Sequence, residues 1–149
     1  AAYGGVNGGP AFLTDPNLLD PNEWIYDAGF TVGGGEILFD TVVDSSTAVN
    51  ALNRYMMHTV PGRTYRATWT IEDYAHSTGA SNTIVLNAYA WTGPNSSITQ
   101  PGVVTNVNGA HSMDFAGMDA PIYIRCRAKP KGGTMSFRVT SVTFEDVTP

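Results

Sequence analysis

Few residues in this chain are of the types that do covalent chemistry, and their spacing works against it. His58, His76 and His111 are too scattered for a short-range His-x-His or His-x-x-x-His ligand pair, so zinc is not expected. No Gly-x-Ser-x-Gly elbow is present, and Gly4-Gly5-Val6-Asn7-Gly8-Gly9 neither follows a strand pattern nor opens a helix, which argues against a phosphate cradle. Glu72-Asp73 are adjacent carboxylates, but neighbours on a strand diverge to opposite faces, so they read as a solvated strand end rather than an acid–base pair. Cys126 lies on the apolar side of the alternating run Ile122 to Ala128 and reads as a small buried hydrophobe. Arg125 and Arg127, which would lower a thiol pKa, point to the opposite face. Asn95-Ser96-Ser97 matches a glycosylation sequon short enough to arise by chance and is assigned no function. No enzymatic activity, cofactor or metal is expected from these residues.

The elements that position them are strands. Seven runs carry strand signals: Glu36 to Val43, Leu52 to Val60, Thr64 to Ile71, Thr83 to Trp91, Gly102 to Val107, Ala120 to Ala128 and Thr134 to Val147. The last changes phase between Phe137, Val139 and Val142, Phe144, which predicts a bulge. Turn residues such as Pro61-Gly62, Asn108-Gly109 and Pro130 to Gly133 fall between the runs. A helix over Ser45 to Met57 competes with a short turn and strand, and the two-residue alternation from Leu52 favours the strand. The period of two places Tyr65, Ala67, Trp69 and Ile71 in a core, with Arg66, Thr68, Thr70 and Glu72 opposite. It likewise turns Ile84, Leu86, Ala88 and Ala90 inward and leaves Val85, Asn87, Tyr89 and Trp91 outside. Residues 1–11 read as a flexible Gly-rich arm, and residues 12–149 as a single all-β domain, a two-sheet antiparallel β-sandwich.

Composition bounds the function. The 149 residues suit one domain, and charged residues are only 14% against about 25% in an average globular protein. A net charge of -5 argues against nucleic acid and anionic membranes as partners. Apolar stretches are too short to span a bilayer, so a soluble product without a retained signal peptide is expected. The lone Cys126 favours folding in a reducing compartment. Residues 1–53 hold seven acids (Asp15, Asp20, Glu23, Asp27, Glu36, Asp40, Asp44) and no Lys or Arg, whereas Arg125, Arg127, Lys129 and Lys131 cluster late. Either these patches cancel within one subunit or they let identical subunits meet as a homo-oligomer such as a trimer.

Three stretches stand in a telling order: Asn17-Leu18-Leu19-Asp20-Pro21-Asn22-Glu23-Trp24, then Val60-Pro61-Gly62-Arg63-Thr64-Tyr65-Arg66-Ala67-Thr68-Trp69, and the closing run Met135 to Val147. This order is similar to carbohydrate-binding-module-like (galactose-binding-like) jelly rolls, which also occur in bacteriophage virion proteins. The resemblance covers about residues 12 to 147 and implies a jelly-roll sandwich. It suggests two functions. The first is a non-enzymatic virion structural protein, a phage capsid decoration (cement) protein that binds the major capsid protein or another virion protein after assembly in the host cytoplasm. The alternative is a carbohydrate-binding module or adhesin, secreted, that recognises a glycan. Sugar-binding members present aromatic platforms flanked by polar groups, which implies Tyr89, Trp91 and Tyr123 as platforms with Asn87 and Arg125 as polar partners. Such modules also carry structural Ca²⁺, for which Asp20, Glu23, Glu145 and Asp146 would have to converge; acids near strand ends are ordinarily solvated, and no metal is expected.

Overall fold

The computed structural model describes residues 13–40, 49–54, 57–76, 83–93, 96–118, 121–130 and 134–149, with the side chains of 90–101 outside the description. The expected arm, Lys131 and the start of the Ser45 to Met57 segment fall outside it as well. Among the described residues ten strands form an all-β antiparallel sandwich: β1 Trp24–Tyr26, β2 Phe30–Gly33, β3 Glu36–Asp40, β4 Val49–Asn53, β5 Thr64–His76, β6 Thr83–Gly93, β7 Ser96–Thr105, β8 Gly109–Ala116, β9 Ile122–Lys129 and β10 Met135–Asp146. The first sheet runs β1-β4-β9-β6-β7 and the second β2-β3-β10-β5-β8.

Alternation produces this packing. Tyr65, Ala67, Trp69 and Ile71 of β5, Ile84, Leu86 and Ala88 of β6, and Ile122, Ile124, Cys126 and Ala128 of β9 are all buried between the sheets, as their spacing predicts. Trp69 is fully buried with its ring edge-on to Trp24, centroids 6.4 Å apart. Burial pushes the Cys126 thiol pKa well up, which leaves it an inert core residue. The phase change in β10 is a bulge at Thr140, since Val139 faces Ile71 while Ser141 faces Thr70. A second irregularity opposes Tyr74 and Asp73 to Phe137; Asp73 adopts φ 54 there, and its carboxylate accepts from Arg138 Nε at 2.6 Å.

Several expected boundaries differ. The strand expected over Leu52 to Val60 is instead Val49–Asn53, followed only by an isolated bridge between Met57 and Ile122. Arg54 ends it by turning its guanidinium to the carbonyls of Asn22 and Trp24. The short strands β1 and β2 and the whole of β8 carry no strong periodic signal. In β8 only Met113 and Phe115 are buried, and the intervening positions are polar. The N-terminal acids are not all exposed either. Asp15 is buried, and its carboxylate accepts from the Leu19 and Asp20 amides and from Trp24 Nε1 at 3.0, 3.1 and 2.9 Å. That clasp ties the segment before β1 to the central tryptophan pair.

Trp69→Ala should cost about 3 to 5 kcal/mol, the range for truncating a buried large aromatic. Chemical denaturation measures it, and a loss under about 1 kcal/mol would mean that the site collapses around the smaller side chain.

Candidate functional site

Cross-strand register decides which side chains meet on the outer face of the first sheet. Ile25, Leu52, Arg125 and Asn87 stand in one row across β1, β4, β9 and β6. Asn50, Arg127, Val85 and Val104 form the next row, and Tyr123 faces Tyr89 in a third. Each residue is the outward neighbour of a core residue, so burial of Ile124, Cys126, Leu86 and Ala88 fixes the outer set without further cost.

Hydrogen bonds and rings lock these rows. Arg125 Nε donates to Asn87 Oδ1 at 2.9 Å, and its guanidinium carbon lies 4.0 Å from the Tyr89 ring centroid. Tyr89 and Tyr123 meet edge to face with centroids 6.1 Å apart. Arg127 Nε donates to Asn50 Oδ1 at 2.9 Å. Arg125 is only 4% exposed although it lies on an outer face. Burial lowers its pKa to about 10, with the charge of Arg127 adding to the effect, so it remains a cation at neutral pH. Burial likewise pushes the Tyr123 hydroxyl up to about 12.

The β6–β7 ladder shows how Asn87 comes to be sheltered. Leu86 pairs with Val103 and Ala88 with Gln100, so Pro101 and Gly102 together oppose Asn87 in a bulge on an edge strand. The Gly102 backbone presses so close that a Cβ there would sit 2.1 Å from the Leu86 carbonyl oxygen and 2.7 Å from Asn87 Cβ.

Four of the five expected binding residues, Asn87, Tyr89, Tyr123 and Arg125, are thus brought together. Trp91 lies farther along β6, paired with Ser97, and its side chain is outside the described residues. Arg127, Asn50 and Gly102 were not expected. Arg127 stands two residues from Arg125 on the same face, a signal readable only as charge until its partner is known.

The residues considered for metal do not gather. Asp20 caps a 3-10 turn through the Asn22 amide, Glu23 accepts from Thr14, and Asp146 is held by Arg63 and Thr148. Among the described residues no group of three or more His, Cys, Asp or Glu is placed to hold a metal. His111 contacts the Val107 carbonyl, whereas His76 packs on Tyr74. No described helix is long and apolar enough to cross a membrane.

No protein-family model matches the chain, and no curated protein sequence does. Solved structures share its fold. The carbohydrate-binding module TmCBM61, solved with β-1,4-galactotriose, superposes with a TM-score of 0.57 at 13% identity over 91% of this chain and 98% of that one. The carbohydrate-binding module CBM4 gives 0.60 at 10% identity over 90% of this chain and 99% of that one. The enzymatically active domain of tailspike protein 4 of bacteriophage CBA120 gives 0.58 at 13% identity, covering 90% of this chain but 21% of that chain. The chain therefore has the β-sandwich fold of carbohydrate-binding modules.

Asn87→Ala should destabilise the protein by about 1 to 3 kcal/mol, because the sheltered Arg125 Nε then loses its acceptor. Urea unfolding tests this. A change below about 0.5 kcal/mol would mean that water replaces the amide and that the pair contributes little to holding the face.

Proposed function

We propose that the chain is a non-catalytic glycan-binding module whose binding face is the outer side of the first sheet. The observation that carries this reading is the cluster of Tyr89, Tyr123, Arg125 and Asn87, two rings and two hydrogen-bonding groups held against one another. Aromatic surfaces pack on the C-H faces of a pyranose, while amide and guanidinium groups meet its hydroxyls. Their mutual contacts fix the rotamers in advance, which lowers the entropy lost on binding. The strands of this sheet carry no Asp or Glu, so the paired carboxylates that usually hydrolyse glycosidic bonds are not among the strand residues of the face. The likeness to TmCBM61 and CBM4 supports the same reading at the level of fold. The tailspike likeness shows the fold in a phage protein but gives no support to capsid decoration, to a capsid partner or to an oligomer.

A glycan array followed by calorimetry tests the proposal. Tyr89→Ala should weaken binding at least about tenfold, equivalent to about 1.4 kcal/mol, while Thr68→Ala on the second sheet leaves it unchanged. Wild-type protein that binds no glycan, or a Tyr89→Ala, Tyr123→Ala double variant that binds as wild type does, would overturn it.

A further inference from the structure

The charges of the ten strands are divided between the two sheets. The strands of the first sheet contain Arg125, Arg127 and Lys129 and no acid. Those of the second contain Glu36, Asp40, Glu72, Asp73, Asp114, Glu145 and Asp146 against only Arg66 and Arg138. On the second sheet both arginines are matched: Arg66 bonds Asp114 through Nε and Nη2, and Arg138 bridges Asp73 and Glu36. On the first sheet neither strand arginine of the face meets a carboxylate among the described residues. Arg125 and Arg127 each give Nε to a neutral side-chain amide, and their terminal nitrogens have no hydrogen-bond partner there. Arg127 is half-buried and Arg125 is 4% exposed, so Arg127 stands nearer the solvent of the two. Asp27, which follows β1 at the rim, accepts through Oδ2 from the Asn50 backbone N–H.

A neutral sugar needs no such arrangement. Amides and hydroxyls would meet its hydroxyl groups at lower cost than an arginine held largely out of water without a counter-charge. A guanidinium fixed through Nε keeps its terminal N–H groups aimed in one plane, which suits an oxyanion. From this, and resting on the glycan-binding reading above, we propose that the face takes an acidic glycan, with Arg127 and Arg125 meeting the anionic groups of the sugar chain and Tyr89 and Tyr123 packing on its rings. The shared chemistry is an oxyanion on a sugar ring, carboxylate or sulfate.

The test is affinity electrophoresis and calorimetry of the full chain with polygalacturonate and alginate as carboxylate probes, heparin as the sulfate probe, and β-1,4-galactan and xylan as neutral ones. At least one acidic polymer should bind about tenfold or more tightly than either neutral polymer, and the binding should weaken as salt is raised. Arg127→Gln, at a half-buried position that spares the core, should reduce acidic binding about tenfold or more with little change in melting temperature. Arg125→Lys should also reduce acidic binding, because a point charge does not reproduce the planar fork. Arg66→Gln on the second sheet should change neither. Equal or tighter binding of a neutral polymer, unaffected by Arg127→Gln, overturns the acidic preference and leaves the glycan reading standing. No binding to any polymer overturns both. Salt-sensitive self-association in sedimentation that Arg127→Gln abolishes would instead assign the basic face to the acidic sheet of a second copy, and overturns the proposal as well.

Discussion

The register between β9 and β6 is the constraint on which the rest depends. Ile124 opposite Ala88 and Cys126 opposite Leu86 bury four side chains completely, and the same pairing sets Arg125 beside Asn87 and Tyr123 beside Tyr89. A slip of one residue would exchange those sets and drive two guanidinium groups into an apolar interior, where an unpaired charge costs several kcal/mol. The core thus specifies the face. No separate interaction is needed to choose the outer set, and substitutions there leave the register signal intact.

Two features sharpen what the register begins. The bulge at Pro101 and Gly102 lays an edge strand over Asn87, turning an outward amide into a sheltered acceptor. Arg125 is then tied at Nε and supported by the Tyr89 ring, so an otherwise flexible side chain has few positions left. At the opposite end of the chain order, Asp15 plays a comparable part, its carboxylate fixing Trp24 against Trp69. In both places a charged group acts through a specific hydrogen bond.

These features explain what the sequence could and could not disclose. Alternation over β5, β6, β9 and β10 is strong because each contributes several apolar side chains to one core, so their faces, and with them four of the five residues expected to bind, are legible. Strands β1 and β2 are too short to establish a period, and β8 offers just Met113 and Phe115. The burial of Asp15 and Arg125 was hidden for another reason. Arg125 is held by Asn87, 38 residues away, and Asp15 by Leu19, Asp20 and Trp24, which are near in sequence but in a segment without strand alternation. The excess of acids in the first third was visible, yet its meaning changes once Asp15 is internal and Glu36 pairs with Arg138.

Charge division between the sheets has a consequence beyond any single contact. The chain is acidic as a whole, with a net charge of -5, so a polyanion is repelled by most of its surface. The strands of one sheet nevertheless carry bases alone, at a face where the arginines are oriented by neutral amides and meet no carboxylate among the described residues. Such an arrangement weakens approach from every other side and favours it on this one, which raises orientation specificity more than total attraction. Ion pairs on the second sheet complete the pattern, because Arg66 and Arg138 are matched within their own sheet and offer an incoming anion little net field. Each sheet has two strand arginines, so the direction comes from the acids: were Arg125 and Arg127 each beside a carboxylate, as Arg66 and Arg138 are, the face would have none.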